Sequence, residues 1–283
     1  MPGRIALRRL AVTAVVVIPL LASISTAGAA TQTVTRENVT ATFTYRGTSP
    51  FSQHPHLKIS VNGEVVYDQS VTSAWCGQEC SPNLISESRK VVHIVHLEKN
   101  GLPSVVLDLY SGGAHCCAIE QVYSFTPNSS VVEKFEHDFG DPGVRLVKLG
   151  AGEIFDMLSA DDAFAYAFTD FAASGLPIEI LSFSHDALHN VTRSFPDLIA
   201  KDATLWMSAF QSQASTHYQD SVGLVAAWAA DEDMLGHSDV VARFLATEAK
   251  AGHLNSALNS VNLSGHKYVI ALQKFLRQHG YLQ

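Results

Sequence analysis

"HLKISVNGEVVYDQSV", residues 56–71, decides how the first half of the chain is read. Two β-branched runs flank Asn62-Gly63. Both central positions of a type I' turn need positive φ, and Asn-Gly tolerates this best. The stretch therefore predicts a hairpin that pairs Leu57 to Val61 with Val65 to Asp68. Just before it, "NVTATFTYRG" (38–47) places Val39, Ala41, Phe43 and Tyr45 at every second position. That is the alternation of a half-buried strand.

The same pattern continues downstream. "KVVHIVHL" (90–97) reads as a strand, "EKNGLP" (98–103) as a turn cluster, and "SVVLDLY" (104–110) and "AIEQVYSF" (118–125) as further strands. "RLVKLGAGEIFDML" (145–158) repeats strand, glycine turn, strand. Val95-His96-Leu97 and Val147-Lys148-Leu149 stand about 52 residues apart, with "SVVLDL" and "EIFDML" in matching places. A period near 50 with several strands per unit is one that β-propeller blades and related arrays show.

After Phe195 the period changes from two to that of helices. "SFPDLIAKDATLWMSAFQ" (194–211) offers Ser194 as N-cap, Pro196 in the first turn, and Leu198, Leu205, Trp206, Ala209 and Phe210 at helix spacing. "SVGLVAAWAADEDML" (221–235) is a small-residue helix with Leu224, Ala227 and Trp228 on one side. "HSDVVARFLATEAKAG" (237–252) ends on Gly252, a residue suited to a left-handed stop. "SGHKYVIALQKFLRQHGY" (264–281) begins at Ser264, carries Leu272, Phe275, Leu276 and His279 on one stripe and stops at Gly280. The fold class expected is α+β, with an antiparallel β-rich domain, propeller-like or sandwich-like, over residues 31–195 and a bundle of about four helices over 196–283.

The first 29 residues read as a secretory signal. Arg4, Arg8 and Arg9 precede the apolar "LAVTAVVVIPLLA" (10–22), and Ala27-Gly28-Ala29 offers small residues for cleavage. The apolar run is shorter than the roughly 20 residues needed to span a bilayer as a helix. The whole chain carries a formal charge of -8; cleavage leaves 16 of its 19 basic residues against 27 acidic ones, or about -11. With no dense Lys/Arg cluster, nucleic acid and anionic membrane are poor partners for such a chain. The reading is a secreted or extracytoplasmic protein without a membrane span after cleavage, whose partner is an unknown extracellular or cell-surface ligand.

Between two expected strands stands "DLYSGGAHCC" (108–117). Its cysteines, Cys116 and Cys117, join Cys76 and Cys80 to make four, an even number that favours disulfides in an oxidising compartment. Adjacent cysteines close a ring only with a distorted peptide. The expectation is therefore two cross-links from the Cys76–Cys80 loop to the Cys116-Cys117 turn, with either assignment of partners open. A zinc site needs four ligands in a tetrahedron, which neighbouring cysteines meet awkwardly, so neither metal nor cofactor is expected.

"VVLDLYSGGAHCC", "DDAFAYAFTDFAASGLPIEIL" and "VTRSFPDLI" resemble a group of exported bacterial proteins of unknown function, found especially among actinobacteria, that carry degenerate FG-GAP/VCBS-like repeats. The resemblance implies integrin-like propeller units in which an acidic loop before each strand binds Ca²⁺. This chain departs from that loop at both places: "HLEKNGLPS" (96–104) keeps Glu98 and Asn100, and "KLGAGEIFD" (148–156) keeps Glu153 and Asp156. A hard dication takes 6 to 8 oxygens. These loops are expected to hold their shape through glycine, without calcium.

No Gly-x-Ser-x-Gly elbow, dinucleotide glycine fingerprint or phosphate loop occurs. The leading functional expectation is a non-catalytic binding module, with His115, Asp161 and Asp162 as binding residues and no catalytic residue assigned. Asp161-Asp162 also reads as a capping or turn pair. The alternative is an extracytoplasmic hydrolase using His115 with Asp108, Asp161 or Asp162.

Overall fold

The structure, a computed structural model, describes residues 29–47, 52–76, 79–84, 90–113, 117–126, 131–150, 152–213, 220–255 and 263–282. All but the last residue of the expected export signal, together with His115 and Cys116, lie outside the described residues.

Three antiparallel sheets and four helices follow one another along the chain. The first sheet is a meander of β1 (Ala29–Arg36), β2 (Val39–Arg46), β3 (Gln53–Val61) and β4 (Glu64–Ser70) in sequence order. The β3–β4 turn has Asn62 at φ 54° and Gly63 at φ 82°, the left-handed pair that its sequence predicts. Along β2, Val39, Ala41, Phe43 and Tyr45 are all buried and their neighbours are not.

The second sheet holds β7 (Ser104–Tyr110), β8 (Ala118–Phe125) and β9 (Val132–Asp138); β5 (Ser81–Pro82) and β6 (Val92–Val95) share the other edge of β7. This sheet is the central layer. Val92, Ile94, Val105, Leu107, Leu109 and Ile119 pack on Phe43, Leu57 and Ile59 of the first sheet. From the other face, Val95, Val106 and Val122 pack on Met157, Leu181 and Phe183 of the third. Covering on both faces explains why β7 and β8 are almost continuously buried rather than alternating, including Glu120 and Gln121.

The third sheet, β10 (Arg145–Val147), β11 (Asp156–Ala160), β12 (Ile178–Ser184) and β13 (Ala187–Asn190), is again a sequential meander. The stretches that stand about 52 residues apart in sequence each form an antiparallel hairpin, β6–β7 and β10–β11. A bridge between His96 and Ile154 joins the two. None of the sheets closes into a barrel among the described residues.

The helices are α1 (Pro196–Ser212), α2 (Val222–Met234), α3 (Ser238–Ala251) and α4 (Gly265–Gln278). Gly252 ends α3 in the left-handed conformation at φ 79°. Two expectations for α1 are corrected. Its N-cap is Phe195 without a side-chain bond, because Ser194 belongs to the short turn Thr192–Ser194 that precedes it. Of the expected stripe Phe210 is buried, but Leu205 is 57 % exposed, and Ile199 and Ala203 complete the buried face with Phe210. The helical core also takes in Phe164 and Phe168, which precede β12 in sequence. Gly223 on α2 is required by close approach: a Cβ there would lie 2.4 Å from the Ala173 carbonyl oxygen.

The cysteine expectation is also corrected. Cys76 pairs with Cys80, four residues on, across a Cα separation of 5.3 Å, within the range a disulfide spans. Cys117 is disulfide-bonded too. With Cys76 and Cys80 joined to one another, the double cross-link between the two segments does not form.

Candidate functional site

A cleft of 780 Å³ opens where the second and third sheets splay apart. Its walls come from the turn after β6, the facing ends of β8 and β9, the loop leading into β11, and the tip of the β12–β13 hairpin. The two glycine-turn loops singled out in sequence, at 96–104 and 148–156, therefore both contribute to one cavity.

The hairpin tip is His185-Asp186, with φ of 52° and 55°. These are two non-glycine residues in the left-handed region, a conformation that aspartate accepts better than most side chains. Contacts across the cleft hold it there. Glu98 Oε1 accepts the N–H of His185 at 2.8 Å, and Asp186 Oδ1 accepts the Ser124 hydroxyl at 2.7 Å. Ser124 is in register with Glu133 on β9, and Glu133 accepts the Thr126 hydroxyl at 3.3 Å. The Glu133 carboxyl is held above its ordinary range by its hydrogen bond to Asp186 and by that neighbour's charge. Asp156, in the wall, is raised by burial although it accepts the Leu149 N–H. Phe195 and the half-buried Phe125 are the lining aromatics with exposed surface, while Phe183 is packed in the core behind them.

A second, smaller cavity of 430 Å³ lies between the third sheet and the helices, and Asp161 lines it. Asp161 caps the turn Asp162–Phe164 by accepting the Ala163 N–H at 2.9 Å, and accepts the Tyr281 hydroxyl at 2.8 Å. Beside it, burial and then the charge of Asp161 push Glu179 up to about 7; Asn190 donates to it at 3.1 Å. Arg193 seals the lower side by donating to the carbonyls of Met234, Gly280 and Tyr281. Further inside, burial and then Asp202 push Asp231 up to about 10.

The acidic residues named from sequence do not share a site. Asp162 accepts the Asp141 N–H and sits against Gly140, where a Cβ would fall 2.3 Å from its carboxyl. Asp108 faces His93 Nε2 at 3.0 Å and stands opposite Glu120 across the β7–β8 ladder. Glu120 is only 3 % exposed, and burial followed by Asp108 raises its carboxyl well above the usual range. The loop carrying "GGAHCC" is closed at its base, where Ser111 and Cys117 exchange two hydrogen bonds, and Tyr110 donates to the Gly113 carbonyl. His115 itself lies outside the described residues, and among them no cluster of three or more metal-ligating side chains occurs.

Glu133, His185 and Asp186 were not legible as site residues. Glu120 and Glu179 did carry a signal, since each is a lone carboxylate inside an apolar strand, "AIEQVYSF" and "PIEIL".

The geometry defines an α+β protein of stacked antiparallel meanders with a helical C-terminal part and an acidic cleft at one sheet–sheet junction. No family profile and no solved structure matches the chain. It is 26 % identical over 204 residues to a probable thylakoid lumen protein of Synechocystis sp., covering 65 % of this chain and 58 % of that protein. It is 24 % identical over 140 residues to an uncharacterised protein of Sinorhizobium fredii, covering 48 % of this chain and 22 % of that one. The chain thus spans less than two thirds of either relative's length. Among the described residues no helix is long and apolar enough to cross a membrane.

Proposed function

We propose that this is an extracytoplasmic binding module without chemistry of its own, which holds a small ligand in the cleft between the second and third sheets. The cleft carries the proposal: its 780 Å³ are within the range that small-molecule sites occupy, and separate strands and turns converge on it with both polar and aromatic groups. The arginine-led apolar segment at residues 4–22 supports the address, as does the relative named for the thylakoid lumen.

The test is a thermal-shift screen of the purified mature protein against chitotetraose, muramyl dipeptide, free amino acids and simple amines, run beside hydrolase assays. Gly150 lines the cleft and has open space where a Cβ would stand, so Gly150→Trp is the substitution chosen to obstruct it. A ligand that raises the melting temperature of the native chain and not of Gly150→Trp is the expected result. Turnover of a substrate with no cleft-dependent binding would overturn the proposal.

A further inference from the structure

The two cysteines of the Cys76–Cys80 bond stand in different surroundings. Cys80 is wholly buried in the core between the first and second sheets, among Phe43, Leu57 and Leu109. Cys76 only borders that core, and Trp75 beside it in sequence is 53 % exposed. One end of the bond is open to solvent and the other is not. Exchange at a disulfide depends on which sulfur an attacking thiolate can reach.

The bond also carries little of the fold. It joins residues four apart, and a short closed loop restricts the unfolded chain least. Both ends of the loop are held without it. On the near side, the Ser73 hydroxyl accepts the Trp75 N–H at 3.1 Å and the Ser73 carbonyl accepts the Cys76 N–H at 3.4 Å. On the far side, Glu79 accepts the His54 N–H at 3.0 Å and faces the His54 imidazole at 3.6 Å, while Ser81 and Pro82 pair with Tyr110 and Leu109. Breaking the bond therefore frees the loop and leaves Cys80 seated in the core. The cleft opens beyond the other end of β7, so the two places are separate.

We propose that Cys76–Cys80 is a site of reversible reduction by an external dithiol, with Cys76 carrying the attacked sulfur and Cys80 the leaving one. One thiolate of the dithiol attacks Cys76 Sγ. The Cys76–Cys80 bond breaks, its electron pair leaves on Cys80 Sγ, and a mixed disulfide forms at Cys76. The second thiolate then attacks the dithiol's own sulfur in that mixed disulfide, which closes the dithiol into a disulfide and releases Cys76. Two electrons and two protons pass from the dithiol to the cysteine pair, and an external disulfide reverses the exchange. The dithiol supplies the chemistry, and this chain is acted upon.

The test uses the purified mature protein with dithiothreitol as the dithiol. Alkylation at timed intervals followed by tryptic mass spectrometry reads the pair on peptide 59–89, which contains no other cysteine. Reduction should run at the same rate in buffer and in sub-denaturing urea, with the native circular dichroism spectrum kept, and oxidised glutathione should reclose the bond. A rate that climbs with urea along the unfolding equilibrium, or loss of the fold on reduction, overturns the proposal. Single variants locate the attack. Cys76 in Cys80→Ser should react with dithiobis(nitrobenzoate) roughly tenfold or more faster than Cys80 in Cys76→Ser. Equal rates, or a faster Cys80, overturn the assignment of Cys76. Where either variant fails to fold, the urea dependence of the unaltered chain decides alone.

Discussion

Tyr281, near the C-terminus, donates its hydroxyl to Asp161 at 2.8 Å and so ties the end of the helical part to the turn after β11. Its ring meets Phe164 edge-on at 5.4 Å, and its backbone carbonyl receives Arg193. Tyr281→Phe keeps the ring and removes only the hydroxyl. We expect a loss of about 1.5–3 kcal/mol, the net worth of one hydrogen bond to a charged acceptor, seen as a lower urea midpoint with an unchanged m-value. A wild-type midpoint would show that water replaces the hydroxyl and that the tie does not stabilise the junction.

Gly140 and Asp162 form a second such joint. Gly140 has φ 63°, and the Asp162 carboxyl occupies the place of its missing Cβ. Gly140→Ala should therefore cost more than the roughly 1 kcal/mol that positive φ alone imposes. The excess should fall when Asp162→Ala is added, because the clash is then gone. A double-mutant cycle reads this directly: additive effects would mean that the carboxyl swings away at no cost.

The turn at Asn62-Gly63 was readable because its chemistry is local: two adjacent residues dictate the backbone. The helical half was readable for a similar reason, since Leu272 and Leu276 on α4 repeat within one element and are buried as expected, whereas on α1 the buried stripe is a different one. The acidic pair of the cleft is not local. Glu133 and Asp186 sit on different sheets and meet only because Val95, Val106 and Val122 stack on Leu181 and Phe183. The tip that carries Asp186 lacks the glycine by which such turns are recognised. Cysteine pairing failed for another reason: the bond is between two residues only four apart, and it was the adjacency of Cys116 and Cys117 that turned the reading towards cross-links.

That pairing has a direct chemical consequence. Trypsin cuts after Arg89 and Lys90, between the two cysteine-bearing segments. A non-reduced digest should give the Cys76–Cys80 peptide as a single mass 2 Da below its reduced form, with no peptide joined to the one that contains Cys117. A cross-linked pair of peptides would restore the stapled arrangement. Because the closed loop is short, losing this bond through paired Cys→Ser substitution should cost roughly 2 kcal/mol.

Buried carboxyls set the pH dependence. Glu120, Glu179 and Asp231 all take up protons more readily in the folded chain than their ordinary values would allow, burial being the first cause in each. For a group whose folded pKa is raised, the stabilising contribution is complete below the unfolded pKa and is lost as pH rises through the folded one. For Glu179 that window runs from about 4.5 to about 7. His93, raised by its bond to Asp108 against the opposing effect of burial, adds loss in the same direction from 6.5 upward. The carboxyls held low, Glu136, Glu153 and Asp239, lose their contribution only below their ordinary values and so do not act here. Burial holds the His137 imidazole low, which opposes the trend below 6.5; with three raised carboxyls against it, stability should still rise as pH falls from 8 to 5.5, measured as the urea midpoint. Glu179→Gln should flatten the part of that rise below pH 7. Asp231→Asn should leave the midpoint at pH 8 nearly unchanged, since Asp231 already holds its proton there. A midpoint that falls over this range, or a slope indifferent to Glu179→Gln, would mean that water reaches these carboxyls and that the junction between sheet and helices is open.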